Sequence, residues 1–260
     1  MKEVIDISYL SLFWGYALMI IPIVILWYYK TGLVKDTLIA VARMTVQLLL
    51  VGVYLEYIFK INNHWINLAW VLVMTIIASF TIIKRSGLSY KIFFLPVLLS
   101  GIISIAITDA YFLGFIIKLD SIFDARYFIP ITGMLLGNTI RTVIISLDAF
   151  YGKLKKERNF YRWHLANGAT KKEALLPFMQ SAMRKAFNPV IATTAIMGLI
   201  SLPGMMTGQI LGGSSPSVAI KYQIMLLITI FSSGILTVLL TINISNLFVF
   251  DKYDNLKTDL

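Results

Sequence analysis

Seven stretches of this chain, at 8–29, 37–59, 65–83, 92–116, 127–149, 187–211 and 219–248, stay apolar over the roughly 20 residues an α-helix needs to cross a bilayer. In hydrocarbon the backbone finds no water, so each stretch must satisfy its own N–H and C=O groups as a helix. With 58% hydrophobic residues and a mean hydropathy of +0.80, the chain carries more apolar surface than a soluble domain of 260 residues requires. The expected fold is therefore all-α: a polytopic membrane bundle of about seven transmembrane helices, forming one domain over 1–260. The first run reads as a true span rather than a cleavable signal. Lys2 is opposed by Glu3 and Asp6, and no small-residue cleavage site follows the apolar run.

Lysine and arginine give the orientation. With the N-terminus outside, the inner segments hold 16 basic residues and the outer segments 5, while Arg43 and Arg141 lie within spans. The expected topology is N-terminus out and C-terminus cytoplasmic, in the cell inner (plasma) membrane. Trp27, Tyr28 and Tyr29 at one inner edge, with Trp65 and Tyr127 at outer edges, form the aromatic girdle such a topology requires. The formal charge of +10 follows this distribution, so the partner it implies is the lipid bilayer and not nucleic acid.

Several chemistries are excluded. The chain has no cysteine, hence no disulfide, thiolate ligand or cysteine nucleophile, and its two histidines make a His-rich metal cage implausible. No Gly-x-x-x-x-Gly-Lys-[Ser/Thr] run, Gly-x-Ser-x-Gly elbow or His-Glu-x-x-His helix occurs. The chain is not expected to be an enzyme, and if ATP drives it the ATPase is another subunit.

Polar residues inside spans are functional candidates by default. Arg43 and Gln47 share a helix face, as do Asn138 and Arg141. These pairs either snorkel and bond to neighbouring helices or line an inner vestibule. Asp109 falls in the outer half of its span, roughly 10 Å in depth from either arginine, too far for direct pairing. A second candidate is the stretch 199–213. Its proline and glycines break an apolar run, and broken backbone survives in a membrane only where protein buries it or where it lines a cavity. Ser201, Pro203, Gly204, Met205, Met206, Thr207, Gly208 and Gln209 are the candidate pathway residues there. A kinked, tightly packed helix is the competing reading. Met197, Met205 and Met206 offer only soft ligands, and methionine in an apolar run is more often packing.

The segment 150–186 is the only sizeable stretch outside the spans. Thr170-Lys171-Lys172-Glu173 reads as a capping box after the Gly168-Ala169 loop, opening a short helix interrupted near Pro177. Ala166, Gly168, Ala169 and Ala174 form a small-residue surface that suits close packing by another protein. On the residues alone, a partner-independent secondary transporter or channel for a small solute stays open beside an ATP-driven transporter.

Pro130-Ile131-Thr132-Gly133-Met134-Leu135-Leu136-Gly137-Asn138-Thr139, Gly168-Ala169-Thr170 with Glu173, Ala174 and Pro177, Ser201-Leu202-Pro203-Gly204-Met205-Met206-Thr207-Gly208-Gln209, and Arg43-x-x-x-Gln47-Leu48 together resemble the FetB-type ABC transporter permeases. These are bacterial iron-export permeases and plant relatives of aluminium tolerance. The resemblance implies the permease subunit of an ABC exporter, for iron or another metal, pairing with itself and with two copies of a separate ATPase. It places ATP and magnesium in that partner, with no cofactor in this chain. It also implies that Ala166, Gly168, Ala169, Thr170, Glu173, Ala174 and Pro177 form the coupling helix. The glutamate of the wider importer pattern is missing before Gly168, where the chain reads Trp163-His164-Leu165-Ala166-Asn167.

Overall fold

A computed structural model of the chain describes residues 8–200 and 202–257. The described residues are helical almost throughout, with one isolated antiparallel bridge, Phe250 to Leu256, and no strand among them. The elements are α1 (Tyr9–Tyr16), a 3-10 turn (Ala17–Met19), α2 (Ile20–Tyr28), α3 (Val34–Ile61), α4 (His64–Ser86) and α5 (Tyr90–Asp109). A π-helical segment (Ala110–Ile116) follows, then α6 (Ala125–Lys156), α7 (Arg158–Ala166), α8 (Lys171–Ile196), α9 (Gly204–Leu211) and α10 (Pro216–Val249). By length and composition six helical stretches can cross a membrane: Leu10–Tyr28, Val34–Ile61, His64–Ser86, Tyr90–Ile116, Ala125–Lys156 and Pro216–Val249.

The expected span at 187–211 differs. It is neither a continuous helix nor a Pro-kinked one. Helix α8 ends at Ile196, Met197 turns extended with ψ 139, and Gly198 takes φ +85, a conformation that costs a residue with a Cβ about 1–2 kcal/mol. Pro203 then sits just ahead of α9, where its carbonyl accepts the Thr207 N–H at 3.1 Å. Proline there interrupts no helical bond, because the break has already been made by Gly198.

A second difference lies in α8 itself, which is not a short helix stopped near Pro177. It runs through Pro177 and Pro189 to Ile196. Ala174, Phe178, Ala182 and Ala186 recur at every fourth position and are all buried in the larger apolar core, on the side where α8 meets α6. That packing outweighs the local cost of the prolines.

The chain divides into two compact units, one of residues through Ile61 with Leu211–Gly213, the other of Asn62–Ile210 with Ser214–Leu260. In the first unit Pro22 occupies the first turn of α2, where its missing N–H is tolerated, and a 3-10 turn leads into it. Tyr16 of α1 and Thr45 of α3 share a hydrogen bond through their hydroxyls. The helices of this unit are apolar over most of their surface, with Leu49, Leu50 and Val53 exposed, as lipid-facing helices are.

In the second unit α5 packs along α10, α4 along α5 and α6, and α6 along α8 and α10. Small hydroxyl residues fill these seams. Thr75, Ser79, Ser100, Thr108 and Thr237 are buried and each returns its hydroxyl to the carbonyl four residues earlier at 2.6–2.8 Å. The polar atom is thereby satisfied within its own helix and the neighbouring backbone comes close. Ser104 instead crosses from α5 to the Ser233 carbonyl of α10 at 3.1 Å. Asp109, buried at the end of α5, accepts the Thr132 hydroxyl of α6 at 2.6 Å. Gly101 lets α4 and α5 approach closely, since a Cβ there would lie 3.2 Å from Thr75 Cγ2. Gly101→Val should therefore destabilise the bundle by about 1–3 kcal/mol, read as a lower unfolding midpoint in detergent. An unchanged midpoint would show that this seam is looser than its geometry says.

Candidate functional site

The elbow between α7 and α8 is built from two opposed capping devices. At the end of α7, Gly168 takes φ +87, its N–H reaches the Leu165 carbonyl at 3.0 Å, and the Ala169 N–H reaches the His164 carbonyl at 3.1 Å. This is a Schellman motif, which needs a left-handed residue where Gly168 stands. The capping box expected at Thr170 and Glu173 opens α8. The Thr170 N–H donates to Glu173 Oε2 at 2.7 Å and the Glu173 N–H to Thr170 Oγ1 at 3.4 Å. Ala166, Gly168, Thr170 and Glu173 are exposed, and Ala169 and Pro177 half-buried. Ala174 is not surface at all: it is fully buried in the core beneath the elbow and supports it from inside.

The two hydrogen bonds from Thr170 hold the Glu173 carboxyl below its ordinary value of 4.5. A lowered value means that the box stabilises the elbow above that pH and lets go as pH falls through the folded-state value. Amide protection factors over 170–174 should accordingly fall as pH drops through that value, and Glu173→Gln should remove that pH dependence. Protection factors in the variant that still tracked pH would assign the effect to another group.

Residues 250–257, which sequence reasoning did not single out, hold the elbow from the side. Phe250 and Leu256 pair as the isolated bridge and are both buried in the same core. Between them, Asp251 Oδ1 accepts the N–H groups of Tyr253 and Asn255, both at 2.8 Å. From α7, buried Tyr161 donates to the Asp254 carbonyl at 3.0 Å and Arg158 to the Leu256 carbonyl at 3.2 Å. At the first turn of α8, Lys171 Nζ lies 2.7 Å from Asp254 Oδ1 and 4.1 Å over the Phe250 ring. A lysine at a helix N-terminus opposes the helix dipole, and Asp254 offsets it. Burial, then the charges of Asp254 and Asp251, push the Tyr161 hydroxyl up to about 12, so it remains a donor at neutral pH.

Deeper in the same unit, α6, α8 and α10 enclose a cavity of about 180 Å³. Asn138, Arg141 and Thr142 enter it from α6, Thr193, Thr194 and Met197 from the end of α8, and Phe231 and Gly234 from α10. Asn138 and Arg141, which the sequence places on one helix face, both line this cavity, together with the Thr193–Thr194 pair, which a search confined to ionisable residues passes over. Asn138 spends one amide hydrogen on the Met134 carbonyl at 2.9 Å. Arg141 lines the cavity, is exposed and, among the described residues, makes no ion pair. Arg43 and Gln47 lie on α3 in the first unit and are exposed there.

The broken stretch contributes unequally. Met197 lines the cavity, whereas Met205 packs against the second apolar core and Met206 is buried. Gly204 and Gly208 are exposed, Pro203 is half-buried, and exposed Thr207 returns its hydroxyl to the Pro203 carbonyl at 3.3 Å. Gln209 is half-buried with its Oε1 unpartnered among the described residues, and Ser201 lies outside them.

The family described as "Uncharacterised protein family (UPF0014)" matches residues 9–250. Similar proteins include UPF0014 membrane protein YjkA of Bacillus subtilis (strain 168), 32% identical over 235 residues, 88% of this chain and 90% of that one. Another is the Probable iron export permease protein FetB of Escherichia coli (strain K12), 34% identical over 227 residues, 86% of each chain. Protein ALUMINUM SENSITIVE 3 of Arabidopsis thaliana is 33% identical over 193 residues, 74% of this chain and 69% of that one. No solved structure matches the chain.

Proposed function

Since the chain belongs to the UPF0014 family and is a multi-pass helical membrane protein, we propose that it is the permease subunit of an ATP-driven exporter for iron or another metal. It works in the inner membrane as a homodimer with two copies of a separate cytoplasmic ATPase, which holds ATP and magnesium. The N-terminus faces outward, and the broken α8–α9 pair completes a seventh crossing. The observation that carries this reading is the elbow. It exposes small residues on a turn fixed by two capping devices, rests on buried Ala174 and Phe178, and continues without interruption through α8 to the cavity. A partner that pushes on 166–170 therefore moves a wall of the cavity. ATP binding closes the ATPases, the elbow follows, and the cavity opens to the other side of the membrane. The name of the similar Escherichia coli protein supports iron as cargo.

The test is co-expression with a candidate ABC ATPase subunit, reconstitution in vesicles, and ATP hydrolysis with and without iron. A stable complex with iron-stimulated hydrolysis is expected. No complex would overturn the reading and favour a partner-independent transporter.

A further inference from the structure

Resting on the reading of the α6–α8–α10 cavity as the solute site, we propose that it takes its solute by an oxyanion group, a carboxylate or phosphate seated on Arg141. Iron then passes as an anionic oxygen chelate and not as bare ferrous ion.

The argument is the donor set. Among the described residues lining the cavity none is Asp, Glu, His or Cys, and no group of three such residues suited to a metal occurs among the described residues elsewhere. A bare hard or borderline cation exchanges its water shell for carboxylate or imidazole, and the cavity supplies neither. It supplies instead a guanidinium with no carboxylate partner among the described residues, beside the amide of Asn138, which donates once to the Met134 carbonyl; the hydroxyls of Thr142, Thr193 and Thr194 line the wall but donate to carbonyls of their own helices. A fixed positive charge with no counter-ion repels a bare cation and attracts an anion, more strongly where low-dielectric walls such as Phe231 reduce screening. The guanidinium presents parallel N–H groups that match the two oxygens of a carboxylate or phosphate. Arg141 stands roughly 12 Å from the inner end of the span 127–149, and the cavity gives its charge no carboxylate, so that charge is met by water, inner headgroups or a passing anion. The volume suits a compact solute, being below the roughly 300–1,000 Å³ of pockets that hold drug-sized ligands.

The experiment measures equilibrium binding of citrate, iron(III) citrate, orthophosphate and iron(II) to the full chain in nanodiscs, with the ATPase complex assayed in parallel. At least one anionic probe should bind, weakened by about tenfold or more in Arg141→Gln and less in Arg141→Lys. Gly234→Leu, whose side chain grows into the cavity beside Phe187 and Thr142, should abolish it. Binding of citrate without iron as tightly as with it assigns the site to the free anion; preference for iron(III) citrate assigns it to the chelate. The proposal falls if no anionic probe responds to Arg141→Gln. It also falls if iron(II) binds, is lost in Gly234→Leu and survives in Arg141→Gln, an outcome that leaves the cavity as a cation site and the permease reading intact. Failure of the permease reading shows separately, as absence of the ATPase complex.

Discussion

Gly168→Trp should abolish stimulation of the proposed ATPase partner and leave the chain inserted in the membrane: this is the largest effect expected of any single substitution in the elbow. Two causes would act together. The left-handed backbone at φ +87 costs a residue with a Cβ about 1–2 kcal/mol, and the indole would occupy the face offered to the partner. Open space surrounds the glycine within this chain, so the substitution meets no clash from its own fold. Two companions separate the causes. Gly168→Asn tolerates the left-handed conformation and should keep most of the stimulation. Ala166→Trp leaves the backbone helical at an exposed position and adds only bulk, so it should uncouple nearly as completely as Gly168→Trp. Measuring ATP hydrolysis by each complex in vesicles decides the matter. Normal stimulation by Ala166→Trp would move the docking surface off the elbow.

The second large effect concerns the C-terminal residues. Ending the chain after Val249 removes Phe250 and Leu256 from the core, each worth about 1.5–3 kcal/mol of burial. It also strips Tyr161 and Arg158 of their acceptors and Lys171 of Asp254. The seams between α4, α5, α6 and α10 are also held by other residues, so the spans should still pack. The expected result is an inserted permease whose α7 amides exchange rapidly and whose coupling is lost. Asp254→Asn, which keeps the carbonyl acceptor but not the ion pair, should cost little, as partly exposed pairs do. Unchanged exchange in the truncated chain would mean that α7 is held by α8 alone.

How far the sequence carries can be judged from individual residues. Thr170 and Glu173 announced their capping box because the rule needs only two side chains three positions apart. The apolar spans were legible for the same reason: hydrocarbon imposes one condition on length and composition. Asn138 and Arg141 were found because a polar residue in an apolar run stands out. Thr193 and Thr194 were not, since threonine in a membrane helix usually satisfies itself against its own backbone, as both do here toward the Val190 carbonyl. What assigns them to the cavity is the position of α10, a fact of tertiary packing. Pro177 misled in the opposite direction. A local rule stops a helix there, and the buried row Ala174, Phe178, Ala182 and Ala186 carries it on through packing that no single position reveals. Tail residues 250–257 were invisible because their contacts span about ninety positions of sequence.

The uninterrupted course of α8 has a mechanical consequence. Its 26 residues make a rod roughly 39 Å long with the elbow at one end and Met197 at the other. A tilt of only about 10° about the elbow sweeps the far end by roughly 7 Å, more than one helical turn. In the proposed exporter, leverage of that size would let a small rotation of a cytoplasmic partner become a full change in the width of an intramembrane opening. The Gly198 joint then spares α9 from following the swing.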